Sequence, residues 1–134
     1  MEEQKITIIR ITRRLKKGSV NMDIQWLGNS LGLFSQRDKD KSCYRIFVEL
    51  LKASKTQEGL TSDNIAYHLN LSRGTVIHHI NRLIDSGIVV SQKNKYMLRM
   101  ENLEILLSEL ERDIERAFED MKEIAKKIDK ELGL

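Results

Sequence analysis

The stretch from Leu71 to Val89 constrains the fold of this chain more than any other, because it has the pattern of a capped helix with one apolar side. Ser72 is a suitable N-cap, since its hydroxyl can accept a hydrogen bond from a backbone N–H one turn later. The apolar residues after it recur at helical spacing and form one stripe: Val76, Ile80, Leu83 and Ile84. Gly87 tolerates the left-handed turn at a helix C-terminus. This stretch predicts a helix over residues 72–86 with one face in a core.

The segment before this helix predicts a second, shorter one. Residues 61–69 have the pattern of a helix that is capped by Thr61 or Ser62. Only Asn70 and Leu71 separate it from the next cap. Two helices joined so closely must cross sharply, which is the geometry of a helix-turn-helix.

The segment after residue 87 predicts a β-hairpin. Residues 88–92 and 96–100 are two runs that favour strands, and they flank the tripeptide Lys93-Asn94-Lys95. Asparagine is a common residue at a hairpin tip. The expected product is a hairpin with a basic tip beside the second helix.

This order of helix, turn, helix and basic hairpin resembles the winged helix-turn-helix of ArsR-like (arsenical-repressor) regulators, whose second helix often has the pattern L-S-x-x-T-V-x-H-H-L-x-x-L-x-x-x-G-L-V. The chain matches that pattern at Leu71, Ser72, Thr75, Val76, His78, His79, Ile80, Leu83, Gly87, Ile88 and Val89. The resemblance covers a third of the chain, and it is more specific for the fold than for the regulatory signal. It implies a transcriptional regulator that binds double-stranded DNA.

Charge is divided unevenly along the chain. Residues 1–100 hold 17 Lys and Arg against 9 Asp and Glu, whereas residues 101–134 hold 6 against 11, so the net charge of +3 divides into +8 and −5. A basic body suits a polyanionic partner such as DNA. Without a disulfide partner for the single cysteine, and without a secretory pattern or a run of about 18 apolar residues, we expect a cytoplasmic protein. The absence of proline and the Lys/Glu-rich helices would suit an archaeal or thermophilic source.

The expected fold class is mainly α with a small β component (α+β), in three parts. Residues 1–36 form an N-terminal extension, residues 37–100 the winged helix-turn-helix domain, and residues 101–134 a long C-terminal helix. The extension is expected to contain a strand over residues 5–11, followed by the basic residues Arg13, Arg14, Lys16 and Lys17. These four residues fit either a solvated edge or an arm on the DNA backbone.

The segments on either side of residue 37 are expected to support the core. Residues 20–36 predict a short helix or turn that packs on the core or on a second subunit, with Trp26 in the packing. Residues 43–53 predict the first helix of the winged domain. Cys43 would be a small buried apolar side chain in that helix rather than a redox site.

The C-terminal segment has the most regular pattern in the chain. Apolar residues alternate at spacings of three and four: Leu103, Leu107, Leu110, Ile114, Ala117, Met121, Ile124 and Ile128. Such a repeat is typical of a coiled-coil seam, and a second copy of the chain is the simplest partner for it. A second flank could instead pack on the body: Leu106, Phe118, Ala125 and Leu132. We expect a homodimer through this helix.

A helix that enters the major groove by its N-terminal end presents its first exposed turns to base edges. The candidates for base reading are Arg73, Gly74, Ile77, His78 and Asn81. The candidates for phosphate binding are Ser72, Thr75, Arg82, Lys93 and Lys95. An arginine can fork to guanine, an asparagine can pair with adenine, and an isoleucine can pack on a thymine methyl group.

No metal, cofactor or catalytic site is expected. His79 lies on the apolar side of the helix and should be half-buried, and adjacent helical histidines point about 100° apart, which makes a poor metal site. Metal-sensing members of the resembled family carry paired cysteines or His/Asp sites on terminal helices, and this chain has one cysteine and no histidine after His79. It has no Gly-rich phosphate loop or nucleophile elbow either, so we do not expect an enzyme. The effector is not specified by the sequence.

The main alternative is a winged-helix module that joins proteins in a larger transcription or chromosome complex. A DNA reader keeps Arg, Asn, Ser and Thr on the outer face of its second helix, whereas a protein-binding version usually has an apolar or acidic face. Here the face is mildly polar, with Arg73 at its start and Asp85 as the contrary charge. This composition favours DNA.

Overall fold

The computed structural model of the chain describes Gln4, residues 18–34 and residues 41–134. The strand expected over residues 5–11 and its basic continuation lie outside the described residues. The described part forms five helices and one two-stranded antiparallel sheet: α1 Val20–Ser30, α2 Ser42–Ala53, α3 Ser62–Leu69, α4 Arg73–Asp85, β1 Val89–Gln92, β2 Lys95–Leu98 and α5 Leu103–Leu132. The fold class is confirmed: a mainly helical chain with a small sheet and a long C-terminal helix, as in a winged helix-turn-helix.

Helices α2, α3 and α4 pack on one another and on the sheet around a single apolar core. The fully buried side chains at its centre are Ile46, Phe47, Leu50, Ile65, Val76, Ile80, Leu83, Ile88 and Val89. Three of the four residues of the predicted α4 stripe are among them, and the fourth, Ile84, is partly buried against this core. Burial of this stripe fixes which side of α4 remains outside.

Side-chain caps set the starts of the two helices in the helix-turn-helix. The Thr61 hydroxyl accepts a hydrogen bond of 3.1 Å from the backbone N–H of Asn64, and the Ser72 hydroxyl accepts one of 3.1 Å from Thr75. Asn70 closes α3 in the left-handed conformation, with φ of 54°. Asparagine tolerates this conformation better than most residues, so the chain can reverse within two residues. The predicted caps and turn are confirmed.

The hairpin is tighter than the sequence predicts. Its strands pair from Val89 with Leu98 to Gln92 with Lys95, so Lys95 lies in β2 and the loop has only two residues. Those residues, Lys93 and Asn94, have φ of 51° and 64°, which is the backbone of a type I′ turn. The prediction that the second strand begins at residue 96 was therefore wrong by one residue.

A backbone bridge ties the hairpin to the loop before α3. The N–H of Leu60 donates to the carbonyl of Tyr96 at 2.8 Å, and the N–H of Tyr96 donates to the carbonyl of Leu60 at 2.7 Å. A two-stranded hairpin alone is only marginally stable in water. This bridge gives β2 a partner on its second edge.

Helix α5 divides its apolar stripe between two environments. Leu106 and Leu110 are buried in the core of the same chain, and Leu103 and Leu107 pack against that core. The large apolar residues further along the helix are exposed: Phe118, Met121, Ile124, Ile128 and Leu132. Contacts inside the chain therefore account for the first part of the predicted dimer seam, and the exposed residues form what we call the tail stripe. None of the described helices is long and apolar enough to cross a membrane.

Helix α1 and the turn after it pack on the core, which is one of the two alternatives expected for residues 20–36; residues 35 and 36 are outside the described part. Ile24 and Leu33 are buried, and the Cys43 thiol lies 3.3 Å from the carbonyl oxygen of Leu33. Cys43 is fully buried, as predicted. Trp26 differs from the expectation, because 37% of it is exposed. Its position on the outer side of a short amphipathic helix keeps it out of the core.

Gly28 is the point of closest approach between α1 and the chain that follows it. A Cβ atom at this position would overlap the ring of Phe34. That ring packs edge-on against Tyr44 and Phe47 of α2, with centroid separations of 5.5 and 6.1 Å. The lack of a side chain at Gly28 lets Phe34 lie between α1 and α2.

We expect Gly28→Ala to destabilise the protein by about 1–3 kcal/mol, because the methyl group forces the Phe34 ring out of its site. Gly74→Ala is the matched control, since Gly74 is also helical and an added Cβ there meets no atom within 4 Å. The control should be neutral or more stable by up to about 1 kcal/mol. Thermal and urea unfolding measure both changes. Equal stability of the two variants would contradict the packing described for Phe34.

Candidate nucleic-acid interface

The outer face of α4 carries the residues that are predicted from the sequence to read bases. Arg73, Gly74, His78 and Asn81 are exposed, and Ile77 is partly buried. They recur at spacings of three and four residues, opposite the buried stripe of the same helix. The structure therefore brings all five onto one accessible surface, which begins at the helix N-terminus. We call this surface the reading face.

The two hydroxyls predicted to bind phosphate are engaged with each other at the start of α4. The Ser72 and Thr75 hydroxyl oxygens lie 2.8 Å apart, and Ser72 also accepts the capping bond from Thr75 N. Only one of the two hydroxyl protons is needed for their mutual bond. The other can point outward as a donor, so the cap is compatible with a phosphate contact.

An acidic residue that the sequence did not nominate lies beside Arg73. The Asp63 carboxylate of α3 is 3.7 Å from Nε of Arg73, and the two side chains are 77% and 73% exposed. A pair this exposed contributes little to stability. At 3.7 Å the contact is longer than a hydrogen bond, and it involves Nε rather than the two outer nitrogens that would fork to a base. No signal in the sequence links these residues, because their contact depends on the crossing of α3 and α4.

The wing, defined as β1, β2 and the turn between them, places Lys93 and Lys95 in solvent. An open groove runs from the C-terminal half of α4 to this wing, and Asn81, Asp85 and Ser91 are among the residues that line it. Asn81 of the reading face and Ser91 of the wing thus line the same groove. Arg82 is partly buried at the side of α4. Asp85 brings a negative charge into the groove.

The histidines differ in environment although they are adjacent. His79 is only 9% exposed on the core side of α4, which is deeper than the half-buried position expected for it. His78 lies on the exposed side, and the two ring centroids are 5.3 Å apart. Within the described residues, no group of three His, Cys, Asp or Glu side chains is placed to hold a metal ion.

An ionic junction joins the base of the wing to α5. Nη1 of Arg99, which directly follows β2, lies 2.7 Å from Oδ2 of Asp113, and Nη2 lies 3.7 Å from Oε2 of Glu109. The Asp113 side chain is only 8% exposed, and it also accepts a 2.9 Å hydrogen bond from the Gln4 amide. We call this cluster the Arg99 junction. No sequence pattern predicts this cluster, because charged residues are common in both segments.

The junction shifts the pKa of both central groups. The hydrogen bond from Arg99 lowers the pKa of Asp113, against the opposing effect of burial. The bond from Gln4 and the charges of Arg99 and Arg116 lower it further. The hydrogen bond to Asp113 in turn raises the pKa of Arg99. Both groups are therefore held in their charged forms.

Comparison with known proteins identifies the segment that contains the reading face. Residues 48–91 match the family model of the bacterial regulatory proteins of the arsR family. The matched residues extend from the middle of α2 through α3 and α4 into β1. This match confirms the ArsR-like winged helix-turn-helix and indicates binding of double-stranded DNA in transcription regulation. No curated protein and no solved structure has significant similarity to the chain.

We expect Asp113→Asn to lower the free energy of unfolding by about 1–3 kcal/mol at pH 7, because it weakens a charged hydrogen bond that is largely shielded from water. The pKa of Asp113 is lower in the folded protein than in the unfolded chain, where it is about 3.9. The stabilisation is therefore complete above the unfolded-state pKa and is lost as the pH falls through the folded-state pKa.

Urea unfolding at pH 7, 5 and 3 tests this pH dependence. The difference in stability between the original chain and Asp113→Asn should stay constant from pH 7 to pH 5 and shrink toward pH 3. Asp120→Asn, at an exposed position of the same helix, is the control and should change little at any pH. A difference that grows on acidification would show that Asp113 is not held as a carboxylate.

Proposed function

We propose that this chain, which carries a winged helix-turn-helix domain of the arsR family, is a sequence-specific transcriptional regulator that binds double-stranded DNA as a homodimer. The observation that supports this most directly is the reading face. It is an exposed, mildly polar helix surface that starts at Arg73, and it continues into a lysine-tipped wing. A major groove accommodates one such helix, and a wing beside it lies along the flanking backbone. A cytoplasmic location suits this function.

Base reading is assigned to side chains with complementary chemistry. The free outer nitrogens of Arg73 fork to O6 and N7 of a guanine, and the Asn81 amide pairs with N6 and N7 of an adenine. Ile77 packs on a thymine methyl group, and His78 adds one hydrogen bond at the groove edge. Gly74 lets the backbone of α4 approach the bases closely, since it adds no side chain.

Phosphate binding is assigned to groups around this face. The outward hydroxyl of the Ser72–Thr75 pair and the N–H groups at the start of α4 bind the backbone at one end. Lys93 and Lys95 bind it through the wing, and Arg82 binds it from the side of α4. These contacts carry no base information, so they set affinity and its dependence on salt.

Dimerisation is assigned to the tail stripe. Five large apolar residues, each between 48% and 69% exposed, follow one side of α5 beyond the part that packs on the body. A contiguous exposed apolar stripe of this kind marks an interaction surface. Since the stripe continues a heptad pattern, a second copy of α5 is the partner that fits it. In this proposal the seam comprises Met121, Ile124 and Ile128 of the tail stripe together with the partly buried Ile114 and Ala117, which follow the residues that the core already occupies. In this proposal the chain has three parts, an extension over residues 1–36, the winged helix-turn-helix domain over residues 37–100 and the dimerisation helix over residues 101–134.

An alternative function also has support in the structure. Asp63 and Asp85 lie at opposite ends of the reading surface, and the neighbouring Tyr67 of α3 is 90% exposed. Acidic and aromatic side chains suit a protein partner better than a phosphate backbone. In that case the domain would join proteins in a larger transcription or chromosome complex.

Selection of bound fragments from random duplex DNA tests the proposal and also reports site symmetry. We expect enrichment of a sequence with two related half-sites. In titrations on that site, Arg73→Ala should reduce discrimination at one base pair by about 1–3 kcal/mol, whereas Lys93→Ala should weaken all duplexes similarly and lower the salt slope by about one. Lys126→Ala on the outer side of α5 is the matched lysine control and should bind normally. Absence of binding at low salt would favour the protein-binding alternative.

We expect Met121→Glu combined with Ile128→Glu to produce monomers, because dimerisation would then bury unpaired carboxylates in the seam. Both residues are about half exposed in one chain, so folding should be unaffected. Lys122→Gln combined with Lys126→Gln is the control, since it makes an equal change in net charge on the outer side of the helix. Analytical ultracentrifugation distinguishes the two. Dimers that survive the double glutamate change would place the interface elsewhere.

A further inference from the structure

Three elements of the DNA-binding surface meet at Arg99. Its backbone N–H donates to the carbonyl of Ile88 at 2.9 Å, just before β1 begins. Its Nη1 atom lies 3.4 Å from the place where a Cβ on Gly87 would stand, at the end of α4. The same nitrogen donates to Asp113 of α5 at 2.7 Å. The Arg99 backbone is therefore bonded to the base of the wing, whereas its side chain lies beside Gly87 after α4 and donates to the tail helix.

We propose that Arg99 is a positioning residue of the DNA interface, which sets the angle of the wing against α4 through its bond to Asp113. The inference rests on the proposed function, because it concerns how the wing reaches DNA. It assigns Arg99 no contact with DNA itself. Arg99 is among the residues that line the groove between α4 and the wing, but its guanidinium is hydrogen-bonded to Asp113 of α5 and three quarters of its side-chain surface is removed from solvent.

The position of this contact gives it leverage over the wing tip. Each strand of the wing has four residues, which corresponds to about 13 Å from base to tip. A rotation of about 10° at the base would therefore displace Lys93 by about 2 Å. A displacement of this size is enough to lose a direct phosphate contact, since hydrogen bonds fail beyond about 3.5 Å. A residue that fixes the base of the wing therefore also fixes the position of the lysines at its tip.

Charge also favours this placement of Arg99. The carbonyl end of α4 carries partial negative charge, which attracts a guanidinium at Gly87. Glu109 and Asp113 lie one turn apart on α5 and face the same group. Arg112 and Arg116 pair with these two acids from the outer side, where both arginines are mostly exposed. Among the described residues, Arg99 links the acids of α5 to the wing, whereas the ion pairs of Arg112 and Arg116 lie within α5.

The test is a double-mutant cycle in DNA binding between Arg99→Gln and Lys93→Ala. Each protein is titrated with a labelled mixed-sequence duplex of about 30 base pairs over a salt series, at a temperature where circular dichroism shows every variant folded. If Arg99 acts through the wing, Arg99→Gln should weaken binding about five- to tenfold and lower the salt slope by about one to two, because the wing lysines lose their phosphates. In the Arg99→Gln protein, the additional change Lys93→Ala should weaken DNA binding little further.

Asp113→Asn separates positioning from direct contact. If Arg99 positions the wing, Asp113→Asn should weaken DNA binding, as Arg99→Gln does. The protein that carries both changes should bind DNA no more weakly than the protein that carries Arg99→Gln alone. If Arg99 instead binds phosphate, freeing it from Asp113 should leave binding unchanged or strengthen it. Arg112→Gln is the matched control, since the ion pair of Arg112 in the described part of the chain is with Glu109 of the same helix, and this variant should bind DNA normally.

Additive effects of Arg99→Gln and Lys93→Ala on DNA affinity would overturn the proposal. Additivity would mean that Arg99 does not act through Lys93, as is expected for a residue that only stabilises the fold. Normal binding by Asp113→Asn would overturn it as well. Neither result would affect the proposed function, which requires only that the original chain binds DNA and that Arg73 contributes to base preference. Failure of the original chain to bind any duplex would instead remove the proposed function.

Discussion

The packing of the apolar side of α4 against α2 and α3 is the interaction on which the rest of the surface depends. Val76, Ile80 and Leu83 are at most 1% exposed, and this fixes the rotation of the helix about its own axis. A helix held in this way has no freedom to choose which residues face outward. Arg73, His78 and Asn81 are presented because the core occupies the opposite side. The Ser72 cap then fixes where the presented surface begins, since it sets the first helical residue.

The features of this surface that depend on local pattern were predictable, whereas those that depend on contacts between elements were not. The caps at Thr61 and Ser72 and the stripe of α4 follow from spacing within about a dozen residues. The pair formed by Asp63 and Arg73 and the pair formed by Arg99 and Asp113 each require two elements to meet in space. Charged residues are numerous in this chain, so sequence alone offers many equally plausible pairs. The prediction that Trp26 packs in the core was wrong, because composition does not say which side of α1 faces the core.

The heptad pattern of α5 shows a second limit of sequence reasoning. Periodicity reports that one side of a helix is apolar, but it does not distinguish a core of the same chain from a partner chain. Leu110 is buried within the chain and Leu107 packs against its core, whereas Met121 and Ile124 are more than half exposed. Both groups fall within one uninterrupted pattern. The change of environment occurs where the helix passes the edge of the body, and only the three-dimensional arrangement locates that edge.

In the proposed dimer, this division would give α5 a second role besides dimerisation, because it would also hold the two DNA-binding domains apart. The helix runs without a break from its cap at Asn102 to Gly133, and it contains no proline or internal glycine that would bend it. Asp113 of the junction and Met121 of the tail stripe are eight residues apart, which is about 12 Å along a helix axis. In the proposed dimer, a rigid rod would hold the wing of each chain at a fixed distance from the symmetry axis. The separation of the two reading helices would then follow from the length of α5 between these two points, and half-site spacing in DNA would be set by residues that contact no base.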